Sequence, residues 1–307
     1  MSHVFNMVGE ISSAKLVSIK VTTPPSKTSY AAGEYFSTAG MVVEATYSNG
    51  VSATIAGYTY SPSGPLSENS TSITIQYTEG GITVTTTQSI TIKKAPVATF
   101  ANNDWDTIIE ACQNNNVPNT WVVGNSKTMT INGRSYQIDI IGKNHDTYAS
   151  GGTAPLTFQM HELYRTKYKM TSSYDATNSW KGSEMRVTHL PEIKALMPSV
   201  VKNAIRTVLK PTADDGWTPV IENVEDDLFL LSEIEVFGSC TYSCSGEGIQ
   251  YAYYAAGNNP KKSSDQWWTR SPVYDSEQGF ITVAYNWEGP ITQVQTESLG
   301  VAFAFCF

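Results

Sequence analysis

The opening ninety residues alternate apolar and polar positions with a period of two. Val17, Ile19 and Val21 interleave with Ser18, Lys20 and Thr22. The same rhythm returns in Met41, Val43, Ala45 and Tyr47, in Ile73, Ile75 and Tyr77, and in Ile90 and Ile92. Successive side chains of an extended chain point to opposite faces, so each run predicts a strand with one face on a core. Turn residues separate the runs: Pro24-Pro25, Ala32-Gly33, Ser48-Asn49-Gly50, Ser63-Gly64-Pro65 and Gly80-Gly81. About six or seven short strands at this spacing predict an all-β sandwich. Lys93-Lys94-Ala95-Pro96 then reads as an exit linker.

Beyond residue 96 the period changes from run to run. Trp105, Ile108, Ile109 and Cys112 fall at helical spacing behind Asn103 or Asp104, either of which can cap the helix. Val201, Ala204, Ile205 and Val208 repeat that spacing after Pro198. Tyr136, Ile138, Ile140 and then Leu156, Phe158, Met160 alternate as strands do. Val301, Phe303, Phe305 and Phe307 alternate with Ala302, Ala304 and Cys306, which predicts a strand buried on both faces. The second module is therefore expected to be α+β.

Composition reinforces the division. All seven Trp and all four Cys lie beyond residue 100, whereas the first hundred residues contain no Asp. The chain of 307 residues is 40% hydrophobic with a net charge of −8 and no basic run, which disfavours a nucleic-acid partner. No stretch is long enough for a membrane span, and the first residues lack the pattern of a secretory signal. Three segments are expected: a docking peptide over 1–14, a β-sandwich over 15–95 and an α+β domain over 96–307.

The string "LVSIKVTTPPSKTSYAAGEYFSTAGMVVEATYSNG" and its continuation to residue 92 resemble bacterial immunoglobulin-like domains. Such domains serve as spacers, stalks and adhesive units on cell-surface and bacteriophage proteins. The leader ending in Asn6-Met7-Val8-Gly9 is similar to the start of phage structural proteins. The strings "IDIIGKNHD", "WKGSEMR", "DDLFLLSEIEVFG", "WWTRSP" and the terminal "GVAFAFCF" resemble a domain of unknown function common in phages and prophages of Firmicutes. Its tryptophan-rich ending is similar to the C-type lectin-like fold shared by phage tropism determinants and formylglycine-generating enzymes. Ala302-Phe303 stands where related endings usually carry an Arg-Pro pair. The resemblance implies an all-β immunoglobulin-like sandwich followed by a C-type lectin-like domain.

Candidate chemistry is sparse. Trp267-Trp268-Thr269-Arg270-Ser271-Pro272 offers either a stacking face for a sugar or, with the greater weight, a core Trp beside an Arg held by a buried carboxylate. Tyr251, Tyr253 and Tyr254 precede Gly257-Asn258-Asn259-Pro260, the composition of adaptable recognition loops. Tyr274, Asn286 and Trp287 lie in the segment that, in lectin-like phage receptors, displays ligand contacts. The candidate ligand-binding residues are thus Tyr251, Tyr253, Tyr254, Asn258, Tyr274, Asn286 and Trp287.

Other signals are weak. Cys240 and Cys244 lack zinc spacing and are compatible with a local disulfide in oxidising surroundings, while Cys112 and Cys306 read as small buried hydrophobes. His3, His145, His161 and His189 form no zinc motif. The calcium motifs of lectins do not occur, and neither does the reactive-cysteine arrangement of formylglycine-generating enzymes. The acidic run Glu222, Glu225, Asp226, Asp227, Glu233 and Glu235 is the one place where paired carboxylates could serve glycosidase chemistry, and it reads more simply as a solvated strand flank.

The expected function is that of a non-enzymatic bacteriophage virion surface protein, of tail, receptor-binding or head-fibre type, made in the host cytoplasm and carried on the particle. Its N-terminus would dock on other virion proteins, and its tip would touch a host glycan or protein. It would act as a homo-oligomer or in many copies, with neither cofactor nor metal. The alternative is an enzyme acting on cell-wall glycans with an immunoglobulin-like accessory domain.

Overall fold

The computed structural model describes residues 14–173, 179–262, 265–276, 278–285 and 289–307. Residues 1–13, which hold nearly all of the expected docking peptide, lie outside them, as do Asn286 and Trp287. The chain divides into two compact units, one ending at Ala95 and the other beginning at Pro96.

The first unit carries eight strands among the described residues: β1 (Leu16–Thr23), β2 (Ser29–Ala31), β3 (Val42–Tyr47), β4 (Ser52–Thr54), β5 (Thr59–Ser61), β6 (Ser72–Glu79), β7 (Ile82–Ser89) and β8 (Thr91–Lys93). They form the sheets β1-β3-β4 and β5-β6-β7 and a parallel pair β2-β8. Val43, Ala45, Ile73 and Ile75 close one core with Tyr30, Phe36 and Leu66. Gly80 and Gly81 both take positive φ, which lets β6 turn straight into β7. One expectation fails here. Val17 points to solvent while Leu16 and Ile19 are buried, because a register shift between Leu16 and Ser18 breaks the period-two rhythm.

The second unit is β-rich with short helices. It begins with a 3-10 turn (Phe100–Asn102), α1 (Trp105–Gln113), β9 (Ser126–Ile131), β10 (Arg134–Lys143), β11 (Thr147–Tyr148) and β12 (Leu156–Met160). A π-helical segment (Met185–His189) runs into α2 (Leu190–Ala195), followed by α3 (Ser199–Ala204), β13 (Val208–Ala213) and β14 (Ile221–Asp226). Then come α4 (Glu233–Phe237), α5 (Ala252–Ala255), β15 (Trp267–Pro272), β16 (Phe280–Val283), β17 (Pro290–Gln293) and β18 (Ala304–Cys306). The sheets are β18-β12-β10-β9, β11-β13-β14 and β15-β16-β17.

Asp104 caps α1, accepting the Thr107 N–H at 2.9 Å, and the apolar stripe behind it packs inward. The stripe predicted from Val201 to Val208 is shorter than expected. The helix stops at Ala204, the Arg206 N–H donates to the Cys306 carbonyl, and Val208 opens β13 in pairing with Asp226. Residues 301–307 are buried throughout, and Phe158 stacks on Phe305 with ring centres 5.4 Å apart. Among the described residues no helix is long and apolar enough to cross a membrane.

Candidate binding site

Helix α4 organises the most irregular part of the second unit. Ser232 and Glu235 form a capping box: Ser232 Oγ accepts the Glu235 N–H, and Glu235 Oε2 accepts the Ser232 N–H, both at 3.0 Å. This reciprocal cap turns the Glu235 carboxylate into the core. There Arg270 of β15 meets it in a two-bond fork, at 2.5 Å from Nη1 and 3.0 Å from Nη2. Lys210 of β13 lies 2.7 Å from Glu235 Oε1 and 2.6 Å from Asp146 Oδ1, and donates to Tyr251 Oη at 3.0 Å. Gly248, at φ +97°, passes so close that a Cβ there would lie 2.8 Å from Glu235 Oε1.

The charges compensate one another. Burial opposes ionisation of Asp146, but the charge and hydrogen bond of Lys210, with the Thr157 hydroxyl, outweigh it and hold the carboxyl at about 2. Burial likewise opposes the charge on Glu235, and Arg270 and Lys210 overcome it and depress its pKa. Glu247 goes the other way. Burial pushes it up to about 7 against the pull of Arg270, and its Oε2 makes no well-formed hydrogen bond, while Oε1 accepts the Ala213 N–H.

His145, Asp146 and Glu235 are the group whose donor atoms, all within 4.8 Å of one another, have metal-ligand spacing among the described residues. The Lys210 ammonium already sits against both carboxylates and supplies the positive charge that a cation would bring. A cavity of about 350 Å³ opens beside it, walled by His145, Asn223, Gly248 and Ile249.

Three loops converge near this cluster. Glu233, fully buried, accepts the N–H groups of Thr241 and Ser243 at 2.8 Å each and so pins loop 238–251 to the start of α4. The Tyr242 carbonyl in that loop accepts the Tyr274 N–H from the β15–β16 loop at 2.7 Å. The next N–H, of Asp275, donates at 2.7 Å to Gly216 in the β13–β14 loop. On this frame Trp217, Val220, Ile221, Tyr242, Ile249 and Tyr274 are all exposed, Trp217 by 56% and Tyr274 by 57%. Ile221 lies against Gly246, which ties the start of β14 to the same loop. A group of large apolar side chains left in water on a braced frame marks a contact surface.

The predicted site residues fare unequally. Tyr274 stands in the loop cluster. Tyr251 and Tyr254 do not belong to any recognition loop: both are buried, Tyr251 against Asp146 and Lys210, and Tyr254 donating to Gln159 Oε1 at 2.6 Å. The reason is the short helix α5, whose start and first turn aim both rings inward and close on β10. Gly142 lies directly under the Tyr251 ring, where a Cβ would come within 2.9 Å of it. Tyr253 is half-buried on the core, its hydroxyl pushed up to about 12 by burial and by Asp139. Asn258 is exposed, and its side chain donates back to the Tyr253 carbonyl at 2.7 Å. Asn286 and Trp287 are outside the described residues.

Trp267 and Trp268 are fully buried, with their indole N–H groups donating to the Pro260 and Tyr168 carbonyls, so neither offers a stacking face. The acidic run disperses into separate contacts. Glu222 pairs with Lys181, Asp226 with Arg186 and the Trp180 indole, Asp227 with Lys194, and Glu235 with Arg270. Asp226, Glu233 and Glu235 are buried, so the run is not the solvated strand flank its sequence suggests, and Glu225, Asp226 and Asp227 share the wall of one pocket with Arg186 and Lys194. All four cysteines are free, Cys112 and Cys306 being buried.

Trp217 was not among the predicted residues. Its setting, Gly216-Trp217-Thr218-Pro219, places an aromatic among turn residues, a signal that could have found it. No curated protein matches the chain. Residues 156–306, from β12 to β18, are similar to a family described as a domain of unknown function, DUF6273.

Proposed function

We propose that the chain is a non-enzymatic surface protein of a bacteriophage particle, in which an immunoglobulin-like spacer carries a lectin-like tip. The tip attaches to the host surface or to another virion protein through the loops that bear Trp217, Tyr242 and Tyr274. Display in many copies would add avidity to a weak individual contact. The sequence resemblances described above support the virion setting and both fold names.

The observation that carries the binding role is the exposure of those aromatic rings on loops braced by buried groups. Large rigid side chains held in place lose little freedom when they meet a partner. The interior supports the non-enzymatic part. Lys210 has three donors facing Asp146, Glu235 and Tyr251, and Arg270 spends its fork on Glu235 and its Nε on Thr212. Groups so engaged have no hydrogen-bonding capacity left for a reacting substrate.

Antibody against the second unit, applied to purified intact particles from a lysogen that encodes the chain, tests the setting. Labelling on the particle surface is expected. Particles free of the chain by both labelling and mass spectrometry would overturn the proposal.

A further inference from the structure

We infer that the loop cluster receives a cationic segment of a partner protein, with Lys or Arg heads lying against the exposed aromatic faces. This rests on the loop cluster being the binding surface. The sequences of the three loops, 214–220, 238–249 and 273–279, contain Asp214, Asp215, Glu247, Asp275 and Glu277 and not one Lys, Arg or His. Among these, Glu247 is buried and turned inward, whereas Asp275 is exposed and Asp214 and Asp215 are partly so.

The two aspartates beside Trp217 are held in place. Asp214 Oδ1 accepts the N–H groups of Asp215 and Val220, at 2.9 and 2.7 Å, and Asp215 Oδ1 accepts the Thr218 N–H at 2.8 Å. Their carboxylates are therefore fixed within the turn that carries Trp217. Asp275 is brought to the same place by the hydrogen bond from its N–H to Gly216. The acid nearest this cluster along β14, Glu222, is already neutralised by Lys181 at 2.7 Å.

Aromatic faces attract cations through the ring quadrupole, and adjacent fixed carboxylates add to that attraction. The arrangement selects against the other classes of occupant. A second copy of this chain, which carries a net charge of −8, would bring acid against acid in a two-fold contact. Nucleic acid and anionic lipid surfaces are repelled for the same reason. A neutral glycan can stack on the rings but gains nothing from the unbalanced charge.

The test uses the full chain and reads binding by isothermal titration calorimetry with an Arg- and Lys-rich nonapeptide, and in parallel with a neutral chito-oligosaccharide. The peptide is expected to bind. The triple change Asp214→Asn, Asp215→Asn and Asp275→Asn keeps the carbonyl acceptors and is expected to weaken binding by at least about 10-fold, as is Trp217→Ala. Removing three acids elsewhere, by Glu68→Gln, Glu192→Gln and Glu297→Gln, is expected to leave affinity within about 2-fold. Equal loss from both triple variants would show that only net charge is sensed and would overturn the inference. Oligosaccharide binding that depends on Trp217, with no peptide binding, would also overturn it while leaving the loop cluster as a binding surface. If Trp217→Ala changes neither titration nor binding to cell envelopes, the loop cluster itself is misassigned.

Discussion

The Tyr274 N–H donates to the Tyr242 carbonyl at 2.7 Å, and this bond joins two loops that are separated by α5 and β15 in sequence. Tyr242 in turn is held from behind, because the carboxylate of Glu233 accepts the N–H groups on both sides of it. Rings exposed to water are thus anchored through their backbone to a buried acid.

That linkage predicts a selective loosening. Glu233→Ala would leave the N–H groups of Thr241 and Ser243 without their acceptor, each at a cost of about 1–3 kcal/mol if they stay buried. Amide hydrogen exchange in 238–249 and 273–279 is expected to accelerate, while β10 and β12 keep their protection. Uniform acceleration across the unit would show that Glu233 supports the whole fold and not these loops.

The Arg270–Glu235 fork is expected to respond asymmetrically. Arg270→Met strips a buried carboxylate of its main partner and should cost about 3–5 kcal/mol in denaturant unfolding. The double change Arg270→Met with Glu235→Leu should recover part of that loss, because the stranded charge goes with its partner. No recovery would mean that packing, and not charge, sets the cost.

Glu247 gives the unit a pH dependence of definite sign. Its folded pKa of about 7 lies above the ordinary 4.5, so between these values the folded state binds the extra proton. Stability from this group is therefore fully present below about pH 4.5 and lost as pH rises through 7, by about 3 kcal/mol in total. Glu247→Gln keeps an acceptor for the Ala213 N–H and removes the titration. The difference in unfolding free energy between parent and variant should shift by that amount between pH 5 and pH 8, and a flat difference would refute the assignment.

Tyr254 and Tyr274 make a matched pair. Tyr254→Ala removes a buried ring and its bond to Gln159 and should cost about 3–5 kcal/mol. Tyr274→Ala should lie within about 0.5 kcal/mol of the parent, since the side chain is in water and its backbone bond to Tyr242 survives. Thermal unfolding of the two variants side by side decides the point.

The strand pattern of the first unit was legible because a half-buried strand writes its burial directly into alternate residues. Val17 escaped because a bulge changes the phase without changing the residue types. In the second unit the burial of residues 301–307 on both faces was legible from their unbroken apolar run, although only Ala304–Cys306 forms a strand. The reading of Arg270 beside a buried carboxylate matches its fork on Glu235. The identity of that carboxylate was not legible, since Asp146, Lys210, Glu235 and Arg270 come together only through sheet pairing and a helix cap. Tyr251 and Tyr254 were misread because an abundance of Tyr near Gly and Asn marks both recognition loops and short helices laid on a sheet. Trp217 was overlooked although Gly216 and Pro219 mark its segment as a turn.

The measurement closest to the central claim is sedimentation of the full chain with Firmicutes cell envelopes, followed by assay of the supernatant for released reducing sugar and peptide. The parent should co-sediment, the double variant Trp217→Ala with Tyr274→Ala should lose at least about 10-fold in affinity with unchanged melting, and the supernatant should stay free of products. Release of sugar or peptide that tracks the amount of protein, or co-sedimentation indifferent to both aromatic changes, would contradict a bond-preserving attachment surface at these loops.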